Sequence, residues 1–224
     1  MFDAPVQTVI DLVDQLRDTT DDHWQIPADE ARLLAQLVRM AQAKSICEVG
    51  HSYGFSTLHL AAAAKETGGK VHSFDMSEKK HLAASKHLEQ AGLSDAVTLH
   101  LGEAPAILTQ VSPASPYDFV FIDANKGQSI AYLEALKPRV APRCWILTDN
   151  ITTHADELAD FIAMLRTWSV GKTCAIPVGN GLELTLVGSE ERYSHPRACG
   201  HGENAAAPAS PACPARRGRA GAQH

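Results

Sequence analysis

Strand-like and helix-like segments alternate along this chain, and most of the strand-like ones stop at a glycine or an acidic residue. Ser45 to Val49 is a short apolar run ending in Gly50, and Lys70 to Phe74 ends at Asp75. Val97 to Leu101 ends at Gly102, Phe119 to Ile122 at Asp123, and Cys144 to Thr148 at Asp149-Asn150. Short apolar runs bounded in this way read as buried strands. Among them lie helical segments: Asp29 to Met40, Ser56 to Lys65, the Ser77-capped stretch to Gln90, Ala104 to Val111, Gln128 to Leu136 and Asp156 to Trp168. Two further strands, Thr173 to Pro177 and Leu182 to Val187, flank Gly179-Asn180-Gly181. Such alternation predicts an α/β chain: a doubly wound, mostly parallel seven-stranded sheet with helices on both faces.

Right-handed crossovers bring the C-terminal ends of parallel strands to one edge, where ligands bind at the switch point. Glu48, Gly50, Asp75, Gly102, Glu103, Asp123, Asp149 and Asn150 are far apart in sequence, yet all fall at or beside strand ends. Their expected convergence on one crevice is more specific than any single motif.

The first turn, Glu48-Val49-Gly50-His51-Ser52-Tyr53-Gly54-Phe55-Ser56, spaces its glycines four apart, so the dinucleotide pattern G-x-G-x-x-G is absent. A helix N-terminus here favours a polar or anionic group but builds no pyrophosphate cradle. Asp75, at the end of the second strand, stands where an acidic residue can take both hydroxyls of a ribose. The natural ligand is a nucleoside without a diphosphate. The plainer reading, a turn merely shaped by Gly50 and Gly54, is outweighed by Asp75.

Asp123, Asp149 and Asn150 are short oxygen donors at neighbouring strand ends. Two carboxylates side by side repel unless a cation lies between them. A hard divalent ion such as Mg²⁺ suits this donor set, and no His or Cys cluster competes for zinc. Helix capping by Asp149 or Asn150 is the bland alternative. Lys126, three residues past Asp123, adds a positive charge, unless it is an ordinary solvated loop lysine.

The 224 residues suffice for one domain with an appendage, expected as a domain over 1–190 and a disordered Ala/Pro/Gly/Arg-rich tail over 191–224. From His195 onward the tail carries a net +3, which leaves −9 for the remainder of the −6 total. That acidity argues against nucleic acid as a partner. No run approaches a membrane span and the N-terminus lacks a signal-peptide pattern, so the expected location is cytoplasmic. Without that signal the sequon Asn150-Ile151-Thr152 is discounted. Cys47, Cys144 and Cys174 are expected to be reduced core thiols, and Cys199 and Cys213 fall in the tail.

Taken together, Glu48-Val49-Gly50 through Ser56, Phe121-Ile122-Asp123-Ala124-Asn125-Lys126, Thr148-Asp149-Asn150 and Gly179-Asn180-Gly181-Leu182 resemble the signatures of class I S-adenosylmethionine-dependent O-methyltransferases. The nearest likeness is to the cation-dependent group that includes catechol and caffeoyl-CoA O-methyltransferases, and it runs from about Pro27 to Val187. The resemblance implies a Rossmann-like fold with S-adenosylmethionine and Mg²⁺ as cofactors. It assigns Glu48, Gly50, His51, Ser52 and Ser56 to the methionine part, Asp75 to the ribose, and Glu103 and Ala104 to the adenine. It gives Asp123, Asp149 and Asn150 to the metal, with Asp123 also beside the cofactor and the reacting atoms, and makes Lys126 the general base. The acceptor implied is a phenolic or catechol-like hydroxyl of a small molecule, and a homodimer is allowed for.

The sequence departs from the family pattern in places. Ala141-Pro142-Arg143 stands where the family has Gly-Gly, Asn180 replaces an Asp, and both the loop Ile151 to Ala155 and the N-terminal region are short. These changes bear on the acceptor, and they make His154 an alternative base. Trp145 and Trp168 are read as core. Three rival functions fit the sequence less well. A catalytically idle S-adenosylmethionine-binding protein would not need Asp123, Lys126, Asp149 and Asn150. An NAD-dependent dehydrogenase lacks its third glycine. A nucleic-acid methyltransferase lacks its Asn/Asp-Pro-Pro-aromatic motif.

Overall fold

A computed structural model describes residues 2–168 and 172–188. The tail expected over 191–224, with Cys199 and Cys213, lies outside the described residues. Seven strands form one sheet in the order β3-β2-β1-β4-β5-β7-β6. They are β1 (Ser45–Val49), β2 (Lys70–Asp75), β3 (Val97–Leu101), β4 (Tyr117–Ile122), β5 (Val140–Thr148), β6 (Thr173–Ile176) and β7 (Leu182–Leu186). The first five run parallel, and β7 lies antiparallel between β5 and β6. The order reverses between β1 and β4, which makes the gap beyond their C-terminal ends the switch point. This is the doubly wound, mostly parallel sheet expected from the sequence.

The pleat sorts side chains into two cores. Ile46, Val71, Phe119, Phe121 and Leu147 face α1 (Ala4–Leu16), α2 (Ala28–Ala41), α3 (Phe55–Thr67) and α4 (Glu78–Gln90). Cys47, Val49, Phe74, Val120, Ile122 and Ile146 face α5 (Ala104–Gln110), α6 (Ser129–Leu136) and α7 (Ala155–Trp168). Adjacent residues of one strand thus serve opposite cores, as a period of two requires. Trp145 and Trp168 are half-buried, each packed against one of these cores.

Three local differences from the sequence reading have physical causes. The strand read as Cys144 to Thr148 begins four residues earlier, at Val140, across an irregularity in its pairing with β4. Pro142 and the positive φ of Arg143 (67°) hid it. The amphipathic start of the chain is a complete helix, α1, buried through Val6, Val9, Ile10 and Val13. Cys47 and Cys144 are buried thiols as expected, but Cys174 is exposed, because it sits on β6, the sheet's edge strand. Among the described residues no helix is long and apolar enough to cross a membrane.

Candidate active site

The strand ends open onto one cavity of about 850 Å³, the size of an ordinary small-molecule site. Gly50, His51, Ser52, Ser56, Asp75, Glu103, Ala104, Asp123, Lys126, Asp149 and Asn150 all line it. Of the residues expected at the crevice, Glu48 and Gly102 do not.

Glu48 lies beneath the first turn, with no exposed surface. Its carboxylate accepts hydrogen bonds from Ser56 Oγ (2.5 Å), Thr57 Oγ1 (2.6 Å) and Ser73 Oγ (2.5 Å). Burial pushes its pKa up to about 7, while the three hydroxyl donors pull it back. Glu48 therefore ties the N-terminus of α3 to β2 and shapes the turn from behind. Its partners Thr57 and Ser73 were invisible to sequence reading, since nothing in their local pattern marks them as donors to a carboxylate.

Above Glu48 the backbone is tightly constrained. Gly50 has φ +97°, and a Cβ there would stand 2.0 Å from the carbonyl oxygen of Asp123. This glycine is thus demanded by the close approach of the β1 and β4 ends, as well as by its conformation. Asp75 receives Ser52 N–H on Oδ2 (2.8 Å) and Ser77 N–H on Oδ1 (2.9 Å), so its carboxylate is oriented before any ligand arrives. Each oxygen keeps a lone pair for a further donor from the cavity. His51 Nδ1 meets Ser73 Oγ at 3.1 Å. Because Ser73 donates to Glu48, His51 must donate through Nδ1, which leaves Nε2 as an acceptor. Burial holds the ring neutral, lowering its pKa to about 4. His51 Nε2 and Ser52 Oγ find no partner among the described residues, and both residues line the cavity. Beside Glu103, Gln128 donates through Nε2 to Glu103 Oε1 (2.9 Å) and accepts through its own Oε1 from Tyr132 OH (2.8 Å).

The other end of the cavity is acidic. Asp123 follows β4 and Asp149 follows β5, their backbones joined by Asp149 N–H to Ile122 O (3.0 Å). Asp149 is buried, and burial followed by the charge of Asp123 raises its pKa. Asn150 takes a left-handed conformation (φ 71°). Its amide NH₂ donates to Thr153 Oγ1 (3.1 Å), which leaves the amide oxygen to face a ligand. Lys126 Nζ donates to Asp123 Oδ1 (2.8 Å), with the lysine side chain 13% exposed. The base expected at Lys126 is therefore held in an ion pair. The alternative base, His154, also lines the cavity, and its Nδ1 lies 3.1 Å from Thr153 Oγ1. Among the described residues no cluster of three or more His, Cys, Asp or Glu side chains could hold a metal ion. The expected set differs, being two carboxylates and an amide. Hard oxygen donors and two carboxylates that share a single lysine fit a divalent cation.

Sequence reasoning missed several contributors. Glu30, from α2, is fully buried behind Asp149. Burial, and then its contact with Asp149, pushes its pKa up to about 9, so it is neutral near pH 7. It lies 119 residues before Asp149, with no local signal. His23, Trp24, Gln25 and Ile26 form a wall of the cavity from the segment between α1 and α2. Trp24 is 76% exposed, with Lys80 Nζ 4.7 Å from its ring centre. A tryptophan in a polar stretch was the available clue.

A family model described as "Methyltransferase domain" matches residues 47–151. A catechol O-methyltransferase of Niastella koreensis is 30% identical over 128 residues, covering 56% of this chain and 58% of that protein's length. Caffeoyl-CoA O-methyltransferase 2 of Petunia hybrida is 28% identical over 196 residues, covering 76% of this chain and 81% of the relative. The crystal structure of an O-methyltransferase from Bacillus cereus in complex with SAH matches with a TM-score of 0.70 and 25% identity, covering 83% of this chain and 91% of that one. An O-methyltransferase of Streptomyces achromogenes, solved with SAM, shares the fold at a TM-score of 0.72 and 24% identity, covering 84% and 92%. With the strand-end cavity already described, these likenesses show what the chain is similar to, in sequence and in fold: S-adenosylmethionine-dependent O-methyltransferases.

Proposed function

We propose that the protein moves the methyl group of S-adenosylmethionine to a hydroxyl of a small phenolic or catechol-like molecule, with the help of a divalent cation. The observation that carries this reading is the two-ended cavity. At one end Asp75 is pre-oriented by two backbone amides, and at the other Asp123 and Asp149 stand together beside Lys126. The names of the catechol and caffeoyl-CoA relatives support the same acceptor class.

Asp75 would take the ribose hydroxyls. His51 Nε2 and Ser52 Oγ, unpartnered within the protein, would meet polar groups of the cofactor, and Glu103 with Ala104 would flank the adenine. Asp123, Asp149 and the Asn150 amide oxygen would hold Mg²⁺, which when bound lowers the pKa of a coordinated hydroxyl and fixes its position. Lys126 would exchange its contact with Asp123 for the acceptor hydroxyl and take its proton. The acceptor oxygen then uses a lone pair to form the O–CH₃ bond as the S–CH₃ bond breaks, and S-adenosylhomocysteine leaves. Orientation of the two reactants supplies much of the rate.

The test is methyl transfer to a catechol panel with and without chelator. Activity abolished by chelation and restored by Mg²⁺ or Mn²⁺ supports the reading. Full turnover in excess chelator would replace it with a metal-independent small-molecule methyltransferase relying on Lys126 or His154. S-adenosylhomocysteine binding without turnover on any acceptor would leave a catalytically idle binding protein.

A further inference from the structure

Behind the acidic end of the cavity, three elements meet at one turn. Gly179-Asn180-Gly181 lies in the hairpin between β6 and β7, and it is wedged between α2 and the segment that follows Asp149-Asn150. A Cβ on Gly179 would stand 2.1 Å from Glu30 Oε2, and one on Gly181 would stand 2.2 Å from Thr152 Oγ1. On the far side, Ile151 N–H donates to Gly181 O (3.1 Å) and Thr152 N–H to Asn180 O (3.1 Å). At the centre Asn180 donates twice. Its backbone N–H reaches Glu30 Oε2 (3.2 Å), and its side-chain Nδ2 reaches Asp149 Oδ2 (3.3 Å).

Glu30 has no exposed surface. Its Oε1 has no N–H or O–H partner among the described residues, and its carboxyl touches that of Asp149. A carboxyl so deep in the protein is costly unless its contacts are well made. Asp149 has three contacts within the protein that fix how its carboxylate turns: Asn150 N–H on Oδ1, Asn180 Nδ2 on Oδ2, and the Glu30 carboxyl.

We propose that Glu30 and Asn180 are positioning residues of the cation site, jointly setting the Asp149 carboxylate so that it presents an oxygen to the ion. This rests on the cation-dependent reading above. Groups that orient a metal ligand from behind typically govern 10–100-fold of metal affinity. The cation site is then built from four separate parts of the chain, α2, the ends of β4 and β5, and the β6–β7 hairpin, although only β4 and β5 supply ligands.

The test titrates Mn²⁺ into the full-length protein saturated with S-adenosylhomocysteine, by calorimetry or by the electron paramagnetic resonance of free Mn²⁺. Glu30→Ala and Asn180→Ala should each weaken Mn²⁺ binding roughly 10–100-fold, with the affinity for S-adenosylhomocysteine unchanged. Glu30→Gln should stay within about threefold of the wild type, because its amide still accepts from Asn180 N–H and donates toward Asp149. If Glu30→Ala does not fold, Asn180→Ala, which empties no core position, decides the matter. Wild-type Mn²⁺ affinity in the alanine variants would overturn the positioning role alone. A wild-type protein that binds no Mn²⁺ would overturn the cation reading, and this proposal with it.

Discussion

The two ends of the cavity are built on opposite principles. At the nucleoside end the carboxylates already have partners, while His51 Nε2 and Ser52 Oγ are left for a ligand among the buried side-chain atoms described there. Glu48 is held by three hydroxyls, Asp75 by two backbone amides, and Gly50 is locked against the Asp123 carbonyl. At the acidic end Asp123, Asp149 and Glu30 crowd together, with Lys126 as the cation paired to the group. The first arrangement binds by pre-organisation, since a ligand meets groups whose orientation is settled and loses little ordering entropy. The second stores unmet demand for positive charge. On the proposed reading, a rigid half would grip the cofactor and an under-neutralised half would call in an ion, dividing the labour of a two-substrate reaction.

The comparison is broken most severely by removing charge from the acidic end. Asp149→Ala should cut turnover by roughly 10²–10³-fold, the value of several kcal/mol of lost stabilisation at the reacting oxygen. S-adenosylhomocysteine affinity, measured by calorimetry, should be unchanged, because Asp149 faces the other end. An equal loss of cofactor affinity would mean that the two ends are not separable.

Damage to the nucleoside end should instead be felt as lost stability or lost affinity. Gly50→Ala places a methyl against the Asp123 carbonyl at a φ that L-residues resist, so thermal or urea unfolding should show a loss of roughly 2–4 kcal/mol. Asp75→Ala should weaken S-adenosylmethionine binding by about 2–3 kcal/mol, as expected for lost hydrogen bonds to a charged group. It should also lower the melting temperature, since Ser52 N–H and Ser77 N–H lose their acceptor. Reduced affinity at unchanged stability would show that Asp75 waits for the ligand without organising the turn.

The nucleoside end was the more legible in sequence, and the reason is physical. Gly50, Asp75 and Gly102 occupy strand ends whose order along the chain fixes their place in the sheet. The same logic found Asp123, Asp149 and Asn150. What stayed hidden acts across the fold: Glu30 from a helix, Asn180 as a double donor, and Thr57 and Ser73 beneath the turn. Helical spacing marked Asp29 to Met40 as a helix, but nothing in that pattern singled out Glu30 within it. Glu48 was legible as a strand-end carboxylate, yet its direction was not, because hydroxyls buried on α3 and β2 turn it away from the cavity. Local pattern locates a residue on an element; which way its charge is satisfied is settled by partners that tertiary packing supplies.

The smallest effect concerns the footing of the nucleoside end. His59 lies on α3, the helix whose first turn binds Glu48, with Nδ1 2.9 Å from Phe55 O. Burial lowers its pKa from 6.5 to about 4. The folded state therefore holds the neutral ring, and the unfolded chain binds the proton more readily. The stability this represents is present above pH 6.5 and is lost as pH falls toward 4. Glu48 works in the opposite direction: its raised pKa means that stability falls as pH rises from about 4.5 to about 7. The two slopes offset each other near pH 6, so the wild-type profile alone is uninformative. The difference between wild type and His59→Leu isolates the histidine. That variant should gain on the wild type by roughly 1 kcal/mol between pH 7 and 6, and by about 2 kcal/mol at pH 5. For a chain of this size the gain amounts to about 2–4 °C of melting temperature per kcal/mol. A difference that does not change with pH would mean that the ring takes up its proton in place, and that α3 is less rigidly sealed than its packing indicates.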